Sequence, residues 1–338
     1  MKRLFVIDGH ALCYRAYYAM IRNPLINQDG QNISAIFGFA RMLYKLVLEQ
    51  QPDYLAVAFD PPKKSFRFEM YEEYKANRQK MPDDLRTQIE EIKSMVTTLG
   101  IPEVSHNDFE ADDVLGTLAN HFTSEGLEVI LVTGDKDAYQ LVNNNVKILA
   151  NQKGISEYII YDVEGIKEKT GLNPNQIIDY MAIMGDSSDN IPGIKGIGEK
   201  GALKLITSYG TLDNVYEHIE EIKGKQKEYL LEHKDMAYLS QQLVTIRTDV
   251  PLEITLDDYK LPDMFSNSAK SYFMNLEMKA IIRDFFSNNE DNTSVSNNEI
   301  KNYHIIKTED DLKKMISEIE KTGLLSVDTE TTSTKPIE

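Results

Sequence analysis

The sequence predicts an α/β fold in which helices flank a mainly parallel central sheet, with a helical subdomain built around a helix-hairpin-helix attached to it. Residues 1 to about 150 alternate strand-like and helix-like segments, the order that crossover connections in a parallel sheet require. Three of the strand-like runs are apolar and finish on aspartate: Leu4-Phe5-Val6-Ile7-Asp8, Leu55-Ala56-Val57-Ala58-Phe59-Asp60 and Val129-Ile130-Leu131-Val132-Thr133-Gly134-Asp135. From about Asn175 to Thr248 the pattern turns helical, interrupted by a stretch from Asp186 to Glu199 rich in Gly, Pro, Asp and Ser.

Taken in order, strands are expected near Leu4 to Asp8, Tyr54 to Asp60, Glu128 to Asp135 and Lys147 to Ala150. Such short apolar runs suit strands covered on both faces. Helices are expected over Ala11 to Met20, Ala35 to Gln50, Asp84 to Leu99, Ala111 to Ser124 and Ala138 to Leu141. Residues 252 to 286 form a closing segment that packs back on the core. The run from Ser287 to Asn298 is polar without apolar period and reads as a linker. Beyond it, Tyr303 to Lys307 reads as a strand, Glu309 to Lys321 as a helix capped by Thr308 and stopped at Gly323, and Leu324 to Asp328 as another strand. Two strands and one helix bury too little to stand alone, so residues 303–338 are expected to open a further domain. The expected division is therefore 1–287 for the first domain, with its core over about 1–174, the hairpin region over about 175–250 and the closing segment over 251–287. A linker at 288–302 precedes the partial domain.

A chain of 338 residues has room for two domains, or one large domain with an appendage, and at 41% apolar it can build a core. Its formal net charge of −17 speaks at face value against a nucleic-acid partner. Much of that acid falls in one candidate cluster and in the carboxyl-terminal part, so local charge decides. Cys13 is the single cysteine, which leaves no internal disulfide and fits a reducing compartment. Met1-Lys2-Arg3 is followed by too few apolar residues for a signal-peptide core, and no apolar run approaches membrane-spanning length. The expectation is a soluble, cytoplasmic, monomeric protein with no membrane partner.

Nine carboxylates stand where this fold could gather them: Asp8, Asp60, Glu110, Asp112, Asp113, Asp135, Asp137, Asp186 and Asp189. In an open parallel sheet the ligand crevice lies beyond the carboxyl ends of the strands, which brings the three strand-end aspartates to one place. Packed carboxylates repel, and one that stays ionised there needs a cation. Oxygen ligands without clustered Cys or His favour Mg²⁺ or Mn²⁺ over Zn²⁺. Each motif also has an ordinary structural reading. Glu110-Ala111-Asp112-Asp113 opens a helical pattern, where acidic side chains favour the first turn. Asp137 can cap a helix from Ala138. Gly185-Asp186-Ser187-Ser188-Asp189-Asn190 can be a plain turn, or, on helical backbone, can set two aspartates on one face. The recurrence of three acidic pairs or triplets beside two more strand-end aspartates favours the cluster.

Two basic elements accompany it. Ile191-Pro192-Gly193-Ile194-Lys195-Gly196-Ile197-Gly198-Glu199-Lys200-Gly201-Ala202 reads as a helix-hairpin-helix, whose glycines let a turn approach a phosphate and whose following helix offers free N–H groups. Lys195, Lys200 and Lys204 add charge; the alternative is a mere helix connector. From Pro61 to Pro82, six basic residues (Lys63, Lys64, Arg67, Lys75, Arg78, Lys80) meet three acidic ones and interleave with Phe66, Phe68, Tyr71 and Tyr74. Aromatic faces with cations suit unpaired nucleic acid; the alternative is an amphipathic helix whose aromatics enter the core.

Phe109 to Val114, Gly134 to Leu141 and Gly185 to Lys200 resemble, in order and in residue, the signatures of the flap endonuclease family, in the form found in the 5′ nuclease domain of bacterial DNA polymerase I. The resemblance spans roughly residues 1 to 287. It implies a PIN-like core with a DNA-binding hairpin (H3TH) subdomain, acting as a structure-specific 5′–3′ exonuclease and flap endonuclease. The implied substrates are branched, nicked or flapped DNA and RNA-primed DNA. It further implies phosphodiester hydrolysis with two Mg²⁺, or Mn²⁺, ions. Asp8, Asp60, Glu110, Asp112, Asp113 and Asp135 would serve the tighter ion, and Asp137, Asp186 and Asp189 the second. Lys75 and Arg78 would contact the scissile phosphate, with Arg67 as a helper. Tyr71 and Tyr74 would join the DNA-binding set of Lys195, Gly196, Gly198, Lys200 and Lys204, with K⁺ at the hairpin. Gly201 departs from the Thr common in the family, which loosens the hairpin without removing its lysines. Val327-Asp328-Thr329-Glu330-Thr331 resembles the first metal-binding motif of a 3′–5′ exonuclease domain. Two rivals stand beside this reading: a PIN-like metal-dependent RNase, which would not need the hairpin, and a DNA-binding scaffold of the same fold without catalysis.

Overall fold

The computed structural model of the protein describes residues 1–153, 157–286, 306, 308–323 and 325. It divides into two compact units, Met1–Glu290 and Asp291–Glu338. The first is built on a six-stranded sheet of order β3-β2-β1-β4-β5-β6. The strands are β1 (Arg3–Asp8), β2 (Tyr54–Ala58), β3 (Glu103–Val104), β4 (Glu128–Val132), β5 (Val146–Lys153) and β6 (Glu157–Tyr161). All neighbours are parallel except β5 and β6. The expected mainly parallel α/β fold is thus the one found. The two strands not expected are the two-residue β3 and the edge strand β6, which pairs antiparallel with β5.

Period-two alternation sends successive strand residues to opposite cores. Leu4, Val6, Ala56, Val129 and Leu131 face α5 (Ala111–Ser124) through Val114, Leu115, Leu118 and Phe122. Phe5, Ile7, Leu55, Val57 and Ile130 face the other way, toward α1 (Gly9–Ala19), α2 (Ser34–Gln50) and α4 (Asp83–Thr98). Between β2 and α4 lies only a short helix, α3 (Arg67–Met70).

The helical part contains α6 (Val163–Thr170), α7 (Ile177–Met184), α8 (Glu199–Tyr209), α9 (Leu212–Glu217), α10 (Lys225–Glu232) and α11 (Lys234–Val244). It shares the first core, with Ile183, Ile194, Ile197, Leu205, Ile206 and Leu243 buried in it. Asp179 of α7 accepts from Gln241 Nε2 of α11 at 2.6 Å, a polar pin between the two helices. The closing segment carries α12 (Asn267–Asn275) and α13 (Lys279–Ile281) and returns to the second core, where Tyr44 donates its hydroxyl to the Met264 carbonyl at 2.6 Å.

In the second unit, α14 (Glu309–Thr322) begins at Thr308, whose Oγ1 accepts from Asp311 N at 3.2 Å, and ends at Gly323 with φ 69°. The expected linker, all but single residues of the two expected strands, and Asp328 and Glu330 lie outside the described residues. Among the described residues no helix is long and apolar enough to cross a membrane.

Candidate metal centre and nucleic-acid interface

Strand pairing in β2 and β4 stops at Ala58 and Val132, so Asp60 and Asp135 stand just past the sheet, in the mouth that β1 opens with Asp8. Asp8 is at once a strand end and the N-cap of α1: its Oδ1 accepts from Ala11 N at 2.9 Å and its Oδ2 from the Thr133 hydroxyl at 3.0 Å. Asp60 Oδ1 accepts from Ala111 N at 2.9 Å, which joins the β2 end to the start of α5. The Asp60 N–H has run past its sheet partners and donates to His10 Nδ1 at 3.1 Å. Gly9 permits that approach, because a Cβ there would lie 2.5 Å from the Phe59 ring. Asp135 Oδ1 accepts from Asp137 N at 3.0 Å. Sequence reading passed over His10, and it treated Thr133 only as part of a strand. Their signal was adjacency to strand-end aspartates.

Burial, then Asp60 and Asp135, raise the Asp8 carboxyl to about 7 against the donors Ala11 and Thr133. Burial and the charges of Asp135, Asp8, Asp60 and Asp137 push Asp112 well above the ordinary carboxylate range. Asp137 is raised in the same way by burial, Asp135, Asp189 and Asp186. Asp112 Oδ1 is fully buried without a hydrogen-bond partner. A buried, unsatisfied acceptor among like charges is the donor set a hard divalent cation suits. Among the described residues no three acidic, His or Cys side chains converge tightly enough to enclose an ion as they stand.

A folded-state pKa above the unfolded one means that the native state holds more protons between the two, so Asp112 costs stability as pH rises through the ordinary carboxylate range. Asp112→Asn is accordingly expected to raise the thermal midpoint by several degrees at pH 7 in chelator, with the gain vanishing toward pH 3.5. Mg²⁺ should stabilise the parental chain and not the variant. Equal midpoints at both pH values would reject this account of Asp112.

The other half of the cluster is closed over by cations. Glu110 accepts from Ser65 Oγ at 2.8 Å, from the Tyr74 hydroxyl at 3.1 Å and from Lys75 Nζ at 2.9 Å. Burial alone would raise Glu110, but Lys75 and Arg67 outweigh it and hold the carboxyl low. Asp189 Oδ1 accepts from Arg78 Nε at 2.9 Å, and Lys75 Nζ lies 3.7 Å from Asp189 Oδ2. The chain around Lys75 is docked on the acidic loop: Lys75 N donates to Asp189 O at 2.8 Å, Asn77 to Ser187 O at 2.6 Å and Asn190 to Glu73 O at 2.7 Å. That loop is a tight turn rather than helix, since Asp186 and Ile191 exchange both backbone hydrogen bonds. Asp186 accepts locally from the Ser188 N–H and hydroxyl.

Several sequence expectations are corrected here. Arg67 is 3% exposed and forms a two-pronged pair with Asp113, at 2.7 Å and 2.8 Å, and also donates to the carbonyls of Leu243 and Thr245. Asp113, 0% exposed, also accepts from the Glu110 and Arg247 N–H groups. The pair is buried bracing, which leaves Arg67 no free face for a phosphate and Asp113 no free oxygen for an ion. Tyr74 is buried with its hydroxyl on Glu110, so its ring is not offered for base stacking, while Tyr71 is half-buried with its hydroxyl on Glu73. Their apolar faces satisfy the first core, the alternative the sequence had left open.

The hairpin is formed as expected between α7 and α8. Gly185 and Gly193 sit at φ 75° and 60° with their backbones in contact, and Gly193 N donates to Ser240 Oγ at 3.0 Å. Gly196 takes φ 94° against the Tyr229 ring, where a Cβ would come within 2.5 Å. Ile194 and Ile197 anchor the turn in the core, while Lys195, Lys200 and Lys204 are exposed. At Gly201 a Cβ would approach Ile197 Cγ2 at 2.9 Å, so the glycine gives the anchor room.

Comparison with known proteins agrees with this fold. The 5′–3′ exonuclease N-terminal resolvase-like domain matches residues 3–171, and the 5′–3′ exonuclease C-terminal SAM fold matches residues 172–267. The chain belongs to the 5′–3′ exonuclease family. Among curated relatives, DNA polymerase I of Caldicellulosiruptor bescii is 41% identical over 283 residues, covering 83% of this chain and 33% of that protein. DNA polymerase I of Bacillus caldotenax is 44% identical over 259 residues, covering 76% and 29%. The chain thus spans about a third of the length of the curated relatives it matches. Among solved structures, a bacteriophage T5 flap endonuclease in a pseudo-enzyme-product complex with DNA and metal ions aligns with TM-score 0.60 at 19% identity, covering 86% of this chain and 98% of that one. Flap endonuclease-1 from Methanococcus jannaschii aligns with TM-score 0.52 at 18% identity, covering 84% and 91%. These two likenesses show the shared fold.

Proposed function

We propose that this chain is a structure-specific 5′ nuclease that hydrolyses phosphodiesters of flapped, nicked or RNA-primed DNA with the help of two divalent ions. The observation that carries the reading is the meeting of two opposed sets at one mouth: strand-end carboxylates with an orphaned Asp112 oxygen, and Lys75 and Arg78 reaching the adjoining Glu110 and Asp189 from the segment after β2. Asp8, Asp60, Asp112 and Asp135 would hold the tighter ion with Glu110 beside them, and Asp137, Asp186 and Asp189 the second. When bound, Mg²⁺ or Mn²⁺ would acidify water and offset charge developing on the phosphoryl oxygens. Lys75 and Arg78 are the cations able to exchange Glu110 and Asp189 for the scissile phosphate. The exposed Lys195, Lys200 and Lys204 around Gly196 and Gly198 would grip the duplex backbone, with K⁺ at the turn. We further propose that residues 303–338 open a 3′–5′ exonuclease-like domain of a DNA polymerase I, and that the first domain acts as a monomer.

Cleavage of a 5′ flap duplex and of single-stranded RNA, each with Mg²⁺ and with chelator, tests the reading. Metal-dependent incision near the flap junction is expected. Preferential RNA cleavage would favour a PIN-like RNase, and binding without incision a scaffold. Lys195→Ala or Lys200→Ala is expected to weaken duplex binding at all sequences and to reduce the salt slope by about 1, the mark of one lost phosphate contact. An unchanged slope would remove that lysine from the interface.

A further inference from the structure

We propose that Thr133 is a positioning residue for the nuclease reaction, setting the orientation of Asp8 and the turn that carries Asp135; this rests on the metal-site reading above. The last paired residues of β1 and β4 here are Ile7 and Val132, so the next pair in register is Asp8 opposite Thr133. In parallel strands residues in register point to the same side, which brings the carboxylate and the hydroxyl together without any loop contribution. Thr133 is 4% exposed, and its Oγ1 does two things at once: it donates to Asp8 Oδ2 at 3.0 Å and accepts from Asp135 N at 3.1 Å.

The Asp135 amide can only donate, so a lone pair of Oγ1 receives it, and the hydroxyl's one proton is left for Asp8 in its carboxylate form. Asp8 Oδ1 is already held by Ala11 N, and the Thr133 bond stops the other oxygen from turning away from Asp60 and Asp135, the like charges beside it. The same oxygen anchors the Asp135 amide, and Asp135 in turn receives Asp137 N. One buried hydroxyl therefore sets Asp8 directly and Asp135 and Asp137 through the backbone.

Valine has the shape of threonine without the hydroxyl, and serine keeps the hydroxyl without the methyl. Three readouts apply to the full chain: Mn²⁺ binding to DNA-free protein by calorimetry, the thermal midpoint, and the Mg²⁺ concentration giving half the maximal single-turnover rate. Thr133→Val is expected to weaken Mn²⁺ binding and raise the Mg²⁺ requirement by about 10- to 100-fold, the usual loss when a ligand's outer partner goes. Thr133→Ser should stay close to the parental chain. Parental behaviour of Thr133→Val would overturn the proposal. So would a Thr133→Ser variant as impaired as Thr133→Val, which would make the methyl packing responsible. If Thr133→Val does not fold, Thr133→Ala against Thr133→Ser decides the same question. A parental chain that neither binds Mn²⁺ nor cleaves would instead bring down the metal site itself, and Thr133's role with it.

Discussion

Asp135→Ala is expected to lower the single-turnover rate on a 5′ flap duplex by about 10²- to 10³-fold at saturating DNA and Mg²⁺, with DNA affinity unchanged or tighter. A metal ion stabilises transition-state charge by several kcal/mol, and each 1.36 kcal/mol is tenfold in rate. The affinity expectation has the opposite sign because the mouth is overloaded with negative charge. Asp135 is one of the charges that raise Asp8, Asp112 and Asp137, so removing it relieves repulsion toward a phosphate as well. Asp186→Ala should follow the same pattern to a smaller degree, since its carboxylate is partly satisfied by Ser188. Binding by fluorescence anisotropy in Ca²⁺ and quenched-flow cleavage in Mg²⁺ separate the two effects. A parental cleavage rate in Asp135→Ala would remove Asp135 from the site.

What the sequence disclosed follows the range of the interactions involved. The parallel sheet was legible because each central strand is an apolar run covered on both faces, and the strand-end aspartates followed from the same runs. Asp8, Asp112 and Asp137 are raised by burial and by neighbouring charges that include Asp60 or Asp135, as parallel topology leads one to expect. The hairpin was legible because Gly185, Gly193 and Gly196 occupy positive-φ positions and its isoleucines are buried. β6 was not, because its apolar run of four residues, Tyr158 to Tyr161, is too short for period to tell strand from helix. Nor could spacing show that Asp113, next to Asp112, turns the opposite way. On α5 adjacent residues point about 100° apart, which sends Asp112 to the mouth and Asp113 inward to Arg67. The fate of Tyr74 was equally a tertiary matter, settled by Glu110 lying where its hydroxyl could reach.

That inward pair gives the largest expected effect on stability. Arg67 and Asp113 are 3% and 0% exposed, and between them they tie the start of α5 to the carbonyls of Leu243 and Thr245 at the end of α11. Breaking a buried pair by removing one partner leaves the other charge uncompensated and costs about 3–5 kcal/mol. Arg67→Met is therefore expected to lower the thermal midpoint by roughly 10 °C, taking about 2–4 °C per kcal/mol for a domain of this size. Arg67→Met combined with Asp113→Leu should recover part of that loss, because neither buried charge then lacks a partner. At a temperature where the variants are folded, single-turnover cleavage should fall by less than about tenfold. That residual loss reflects Glu110, which lies 3.6 Å from the guanidinium and keeps Lys75 and Ser65 when Arg67 is gone. A midpoint held at the parental value while cleavage collapses would contradict this account and return Arg67 to the scissile phosphate. The expected result instead makes it the joint between the α/β core and the helical part, a structural task for the one arginine of this basic segment that the fold has sealed from solvent.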